Sequence, residues 1–168
     1  MDFAIYLSEK ILFFATLFCM IISFRLGRVS MSIMIVCVIL TMKELIDGYL
    51  LNFGQSMNFD DRALLAFWYV AFTLTNLAAG LAVYVAHVTM PVTFSLAARV
   101  YLWKVSFVAL VLICRCLERI YLDTQHFQFA YTKVLPALSY LMLFFLGFSL
   151  FVAYRKSKDF GERIEWNI

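Results

Sequence analysis

From Ala63 to about His87 the chain runs "ALLAFWYVAFTLTNLAAGLAVYVAH" without one Asp, Glu, Lys or Arg. A helix needs about 20 mainly apolar residues to cross the hydrocarbon core of a bilayer, about 30 Å thick. The rest of the chain follows suit. Of its 168 residues, 64% are apolar and only 15% charged, against about half and about 25% in a soluble domain. No fold of this composition hides its apolar surface from water. The sequence therefore predicts an all-α, polytopic transmembrane helix bundle, folded as one domain.

Five segments can be drawn, roughly Phe3–Phe24, Val29–Leu51, Ala63–His87, Ser95–Leu122 and Val134–Tyr154. The joints are "RLGR", "NFGQSMNFDDR", the Pro91 region and "DTQHFQFAYTK", where glycine, proline, asparagine and charge gather. The third and fifth segments are the clearest. The fourth is marginal because its charge-free core is only Val105–Cys114, so four spans stand as the alternative to five. Residues 1–154 are expected to form the bundle and residues 155–168 a short cytoplasmic tail. The start "MDFAIYLSEK" lacks a basic leader, and the run after it ends in "RLGR" rather than small residues. The first segment should thus be retained. Neither the start nor "EWNI" matches a lipidation signal.

Charge placement orients the five spans. With the N-terminus outside, eight basic residues (Arg25, Arg28, Arg99, Lys104, Arg155, Lys156, Lys158 and Arg163) lie inside and six outside, the sign that the positive-inside rule requires. Eight of the eleven acids fall outside. The expected location is a bacterial inner membrane, N-terminus out and C-terminus in. Arg99 and Arg115 are sixteen residues apart, about 24 Å along a helix, so each can reach its own interface. Lys104, deeper than Arg99, can snorkel back.

The second and fourth segments both end in charge, "MKELIDGY" and "CRCLERIYLD". Two arrangements are open: separate solvated clusters, or Glu44 and Asp47 pairing across the helices with Arg115 and Arg119. Ionisable groups near lipid are costly unless paired or wetted, and they often mark function. In the third segment Ala78, Ala82 and Ala86 recur every fourth residue, a face that lets backbones approach closely, with Gly80 beside it. Thr73 and Thr75 can satisfy themselves on preceding carbonyls. Asn76 has donors and acceptors to place and is expected to bond another helix. In the tail, Ile164, Trp166 and Ile168 either lie on the headgroups or dock a cytoplasmic partner.

The chemistry of catalysis is missing from the sequence. His87 and His126 fall on opposite sides of the predicted membrane, so they cannot jointly bind a metal or haem. Cys19, Cys37, Cys114 and Cys116 lack zinc or redox spacing and are expected to act as small hydrophobes. No nucleophile motif or phosphate loop is present, and the lone "DFG" has no kinase context. The chain is expected to be no enzyme, to hold no cofactor or metal, and not to bind nucleic acid directly. A non-enzymatic subunit that oligomerises and anchors or signals to a cytoplasmic partner fits best. A pore-forming, holin-like effector and a toxin-immunity membrane protein are the alternatives.

In whole-chain layout the protein resembles KwaA, the membrane subunit of the bacterial Kiwa anti-phage defence system. The nearest residues are "MKELID" and "RCLERIYLD"; the likeness is one of architecture and carries no diagnostic motif. It implies a homo-oligomeric inner-membrane sensor engaging a cytoplasmic, DNA-binding partner, KwaB. The family subunit has four spans, one fewer than drawn here.

Overall fold

The structure of the protein, a computed structural model, describes residues 3–57, 60–122 and 124–165, with the side chains of 13–158 except 28, 29, 58, 59, 61 and 123. It is all-helical, with no strand among the described residues. Five long helices follow one another: α1 (Phe3–Leu26), α2 (Met31–Ser56), α3 (Asp61–Thr89), α4 (Leu96–Leu117) and α5 (Leu135–Glu165). They pack as a ring, each against the next, with α5 closing onto α1. Across the middle α2 also meets α4.

The ends of the helices follow from local chemistry. Gly27 takes a positive φ of 59°, which glycine adopts without strain, and a 3-10 turn (Gly27–Ser30) leads into α2. There Ser30 Oγ donates to Ser23 O at 2.6 Å and pins the reversal. Asp60 caps α3 by accepting from Ala63 N–H at 2.7 Å, and Ser95 caps α4 by accepting from Ala98 N–H at 3.2 Å. Pro91, which has no N–H to continue a helix, follows the end of α3. Beyond Leu117, α4 widens into a π turn (Glu118–Leu122), and a second one (Ala130–Val134) precedes α5.

Among the described residues, three stretches are long and apolar enough to cross a membrane: Arg62–Thr89, Leu96–Leu122 and Ala130–Lys158. The fourth predicted segment, marginal by its charges, is thus among the strongest. The weaker one is the second, because any 18-residue window of α2 includes Lys43, Glu44 and Asp47. Two boundaries also move. "NFGQSMNFDDR" does not end α2 at Leu51; the helix continues to Ser56. Nor does the last helix stop at Tyr154, since α5 continues through the predicted tail to Glu165.

The main core gathers Val36, Cys37 and Leu40 of α2, Ala79 and Val83 of α3, Ala97, Ala98, Tyr101 and Val105 of α4, and Met142 and Leu146 of α5. Two close approaches set the helix spacing. Gly80 lets Val105 come near, a Cβ there meeting its Cγ2 at 3.1 Å. Gly54 is tighter: a Cβ would lie 2.8 Å from the Trp68 ring and 2.9 Å from Phe67. That contact explains why the "FGQ" glycine is no breaker, since α2 uses it as a notch for the α3 aromatics. Gly54→Val is expected to cost about 1–3 kcal/mol through overpacking. Gly147→Ala, with nothing within 4 Å of the added carbon, should leave detergent melting unchanged or raise it slightly.

Candidate functional site

The buried polar groups fall at three levels of the bundle. At one end, Arg115 and Glu118 lie one helical turn apart and form an ion pair through Nη1 and Oε2. They are 6% and 2% exposed. Glu118 also holds the connection to α5. Its Oε1 accepts from Thr124 Oγ1 at 3.2 Å and from Phe127 N–H at 3.1 Å, and Oε2 shares that N–H at 3.2 Å. Arg115 Nη1 reaches Thr124 O at 3.5 Å, while its Nε has no partner. The pair therefore clasps the loop after α4 onto the helix end.

Of the two arrangements open to Glu44, Asp47, Arg115 and Arg119, the cross-helix pairing does not form. Arg115 is taken by Glu118 and Asp47 by Lys43, four residues away on its own helix; Arg119 is exposed. The reason is axial. Helices α2 and α4 start level, where Ser32 meets Ser95. Counting about 1.5 Å per residue, Glu44 lies about 18 Å up α2 and Arg115 about 30 Å up α4.

The α2 charges instead form the middle level, not the outer end of the helix, because α2 runs nine residues past Asp47. Lys104 of α4 lies within electrostatic reach of Lys43, Glu44 and Asp47, and Tyr101 within reach of both acids. Four opposed charges from two helices thus share one level. Three buried polar atoms there carry no bond: Thr41 Oγ1, Asp47 Oδ1 and Tyr101 Oη. Buried polar atoms without partners are rare in folded proteins and cluster where function is stored.

The third level lies at the opposite end. His87, 2% exposed, stacks on Phe94 with ring centroids 4.3 Å apart. Its Nδ1 faces Val83 O at 2.7 Å, a carbonyl that only accepts, so Nδ1 carries a hydrogen. Its Nε2 meets Ser32 Oγ at 2.7 Å. Ser32 Oγ in turn lies 2.9 Å from Ser95 Oγ and accepts from Ser95 N–H at 2.9 Å. This tie joins α2, α3 and the start of α4. No spacing in the sequence announces it, since Ser32 and His87 are 55 positions apart.

Other expected positions fall as follows. Asn76 is buried but bonds its own helix, Nδ2 donating to Phe72 O at 2.7 Å, in place of a second helix. Thr73 and Thr75 do bond preceding carbonyls, at 2.6 and 3.2 Å. The contact face of α3 carries Thr73, Asn76, Ala79, Gly80, Val83 and His87, whereas Ala78 and Ala82 are exposed and Ala86 half-buried. The alanine stripe is thus turned away from the bundle, because a four-residue repeat there is out of phase with the packed face. Of the tail's docking candidates, the side chain of Ile164 and all of Trp166 and Ile168 lie outside the described residues. Cys37 is fully buried and the other three cysteines half-buried, all free. His126 is exposed beyond α4, at the end opposite His87. No group of three metal-binding side chains occurs among the described residues.

Compared with protein-family models, with curated proteins and with solved structures, the chain matches none. Arg115→Ala and Glu118→Ala should each lower the melting temperature by several degrees and expose the loop around Thr124 to protease. The double variant should lose less than their sum, since removing one partner strands the other. Arg115→Ala and Glu44→Ala should simply add.

Proposed function

We propose that this chain is a non-enzymatic subunit of a bacterial inner membrane, crossing it five times with its N-terminus outside, that oligomerises and signals to a cytoplasmic partner. One observation carries the reading. The polar side chains Ser23, Ser32, Thr41, Asn76, His87 and Glu118 are buried among the core residues, while Phe14, Phe18, Trp103, Phe144 and Phe151 face out. Water would favour the reverse, and hydrocarbon favours this. The outward Ala78–Ala82–Ala86 face gives a second copy a thin surface to approach. Helix α5, Leu135–Glu165, is about 46 Å long against about 30 Å of hydrocarbon. Its surplus runs on past the cytoplasmic interface and offers a contact for a partner. In an anti-phage complex of the Kiwa type, such a subunit is the membrane sensor, and the clasped loop beyond α4 lies on its outer face.

A second reading, a pore former, draws on the charged level of α2 and α4. Loaded liposomes separate the two: dye or ion release on reconstitution would favour the pore. The subunit reading expects an active alkaline phosphatase fused at the N-terminal end and a bright fluorescent protein at the C-terminal end; both ends inside would overturn five spans. It also expects Ala82→Leu to reduce the particle's mass in mild detergent while the single chain keeps its melting temperature.

A further inference from the structure

The end of the bundle that carries the His87 tie also holds a cavity of about 360 Å3 between the start of α2, the start of α4 and α5. Its lining includes the polar Ser32, Ser95, Ser149 and Lys156 and the apolar Leu96 and Phe148, the last two exposed on the bundle surface. Among the described residues no carboxylate lines it.

The free hydrogens all point to one class of ligand. Ser149 is 7% exposed, and its Oγ accepts from Ala97 N–H at 3.2 Å, leaving its own hydrogen unclaimed. In the first turn of α4, Ala97 N–H goes to Ser149, Ala98 N–H to Ser95 Oγ and Arg99 N–H to Ser95 O. Among the described bonds none takes the Leu96 N–H. Lys156 adds an ammonium at the rim. Among the described residues the site offers donors and positive charge with no carboxylate beside them, at the positive end of a helix, which is the chemistry of a phosphate seat. An apolar wall opening on the bundle surface suits an acyl chain beside that phosphate.

We propose that this cavity holds the phosphate headgroup of an anionic phospholipid of the inner leaflet. Ser149, Lys156 and the Leu96 amide hold the phosphate, and Leu96 and Phe148 flank the first methylenes of the chain. Bound there, the lipid bridges α4 to α5. The inference rests on the membrane reading above, and the test keeps the two apart.

The full chain is reconstituted in nanodiscs of phosphatidylcholine with or without phosphatidylglycerol, and protease protection first establishes that it spans. Failure to span would refute the membrane reading itself, and this site with it. For a spanning protein, native mass spectrometry should show phosphatidylglycerol retained over phosphatidylcholine, with a higher melting temperature. Lys156→Gln should weaken that retention about tenfold, as should Ser149→Ala, while Lys133→Gln at the other end leaves it unchanged. Because Ser149 also caps α4, Lys156→Gln is the deciding variant: its melting in neutral lipid should equal that of the parent. Equal retention of the two lipids by a spanning protein, or full retention by Lys156→Gln, would overturn the proposal. So would stabilisation by inorganic phosphate alone without preference for phosphatidylglycerol, which would make the ligand a free anion.

Discussion

Hydrocarbon on the outside of a helix offers no hydrogen bonds, so every polar group of a chain like this must find its partner inward or at an end. That constraint orders the whole bundle. The outer surface is left to Phe, Leu and Trp103, and the hydroxyls, the amide, the imidazole and the buried ion pair turn inward. Where a group has a local partner it takes it, as Thr73, Asn76, Asp47 and Arg115 do on their own helices. Bonds between helices are then few and localised, and they tie specific ends together. The three levels differ accordingly: a tie across three helices, a charged belt between two, and a clasp from helix to loop.

These levels also divide the work of the proposed function. The clasp controls the shape of the loop at the outer end, and the long α5 carries the chain past the inner end. Between them the belt of Lys43, Glu44, Asp47 and Lys104 is balanced in charge. Its Asp47 Oδ1 and Tyr101 Oη still lack partners, which makes this the part of the interior with the most to gain from rearrangement.

Much of the fold was legible in the sequence. The five apolar runs and the joints at "RLGR" and Pro91 follow from composition and breaker chemistry, and the helices begin within a few residues of them, though α2 and α5 run on to Ser56 and Glu165. The fourth run was undervalued because Lys104 and Arg115 were counted as interruptions, whereas both are accommodated inside the bundle. The extension of α2 past Gly54 was not legible, for it depends on Trp68 and Phe67 arriving from another helix. At the site, the spacing of Arg115 and Glu118 is visible in "RCLE", yet the sequence leaves both solvation and a partner on another helix open to Arg115. The His87 tie left no trace in the sequence because Ser32 comes from a stretch remote from His87 and Ser95. The alanine repeat was visible, but a repeat does not say which way it faces.

The notch at Gly54 and the tie at Ser32 have a mechanical meaning together. Both join α2 to α3, one against Trp68 and the other against His87, and they lie about 33 Å apart along α2. Two rods pinned at both extremities cannot slide past one another. A piston stroke of α2 along its own axis is therefore barred, since it would drive a backbone into an indole ring at one pin and break the imidazole bond at the other. Whatever displacement the bundle undergoes must carry these two helices as a single plank, tilting or swivelling against α1, α4 and α5.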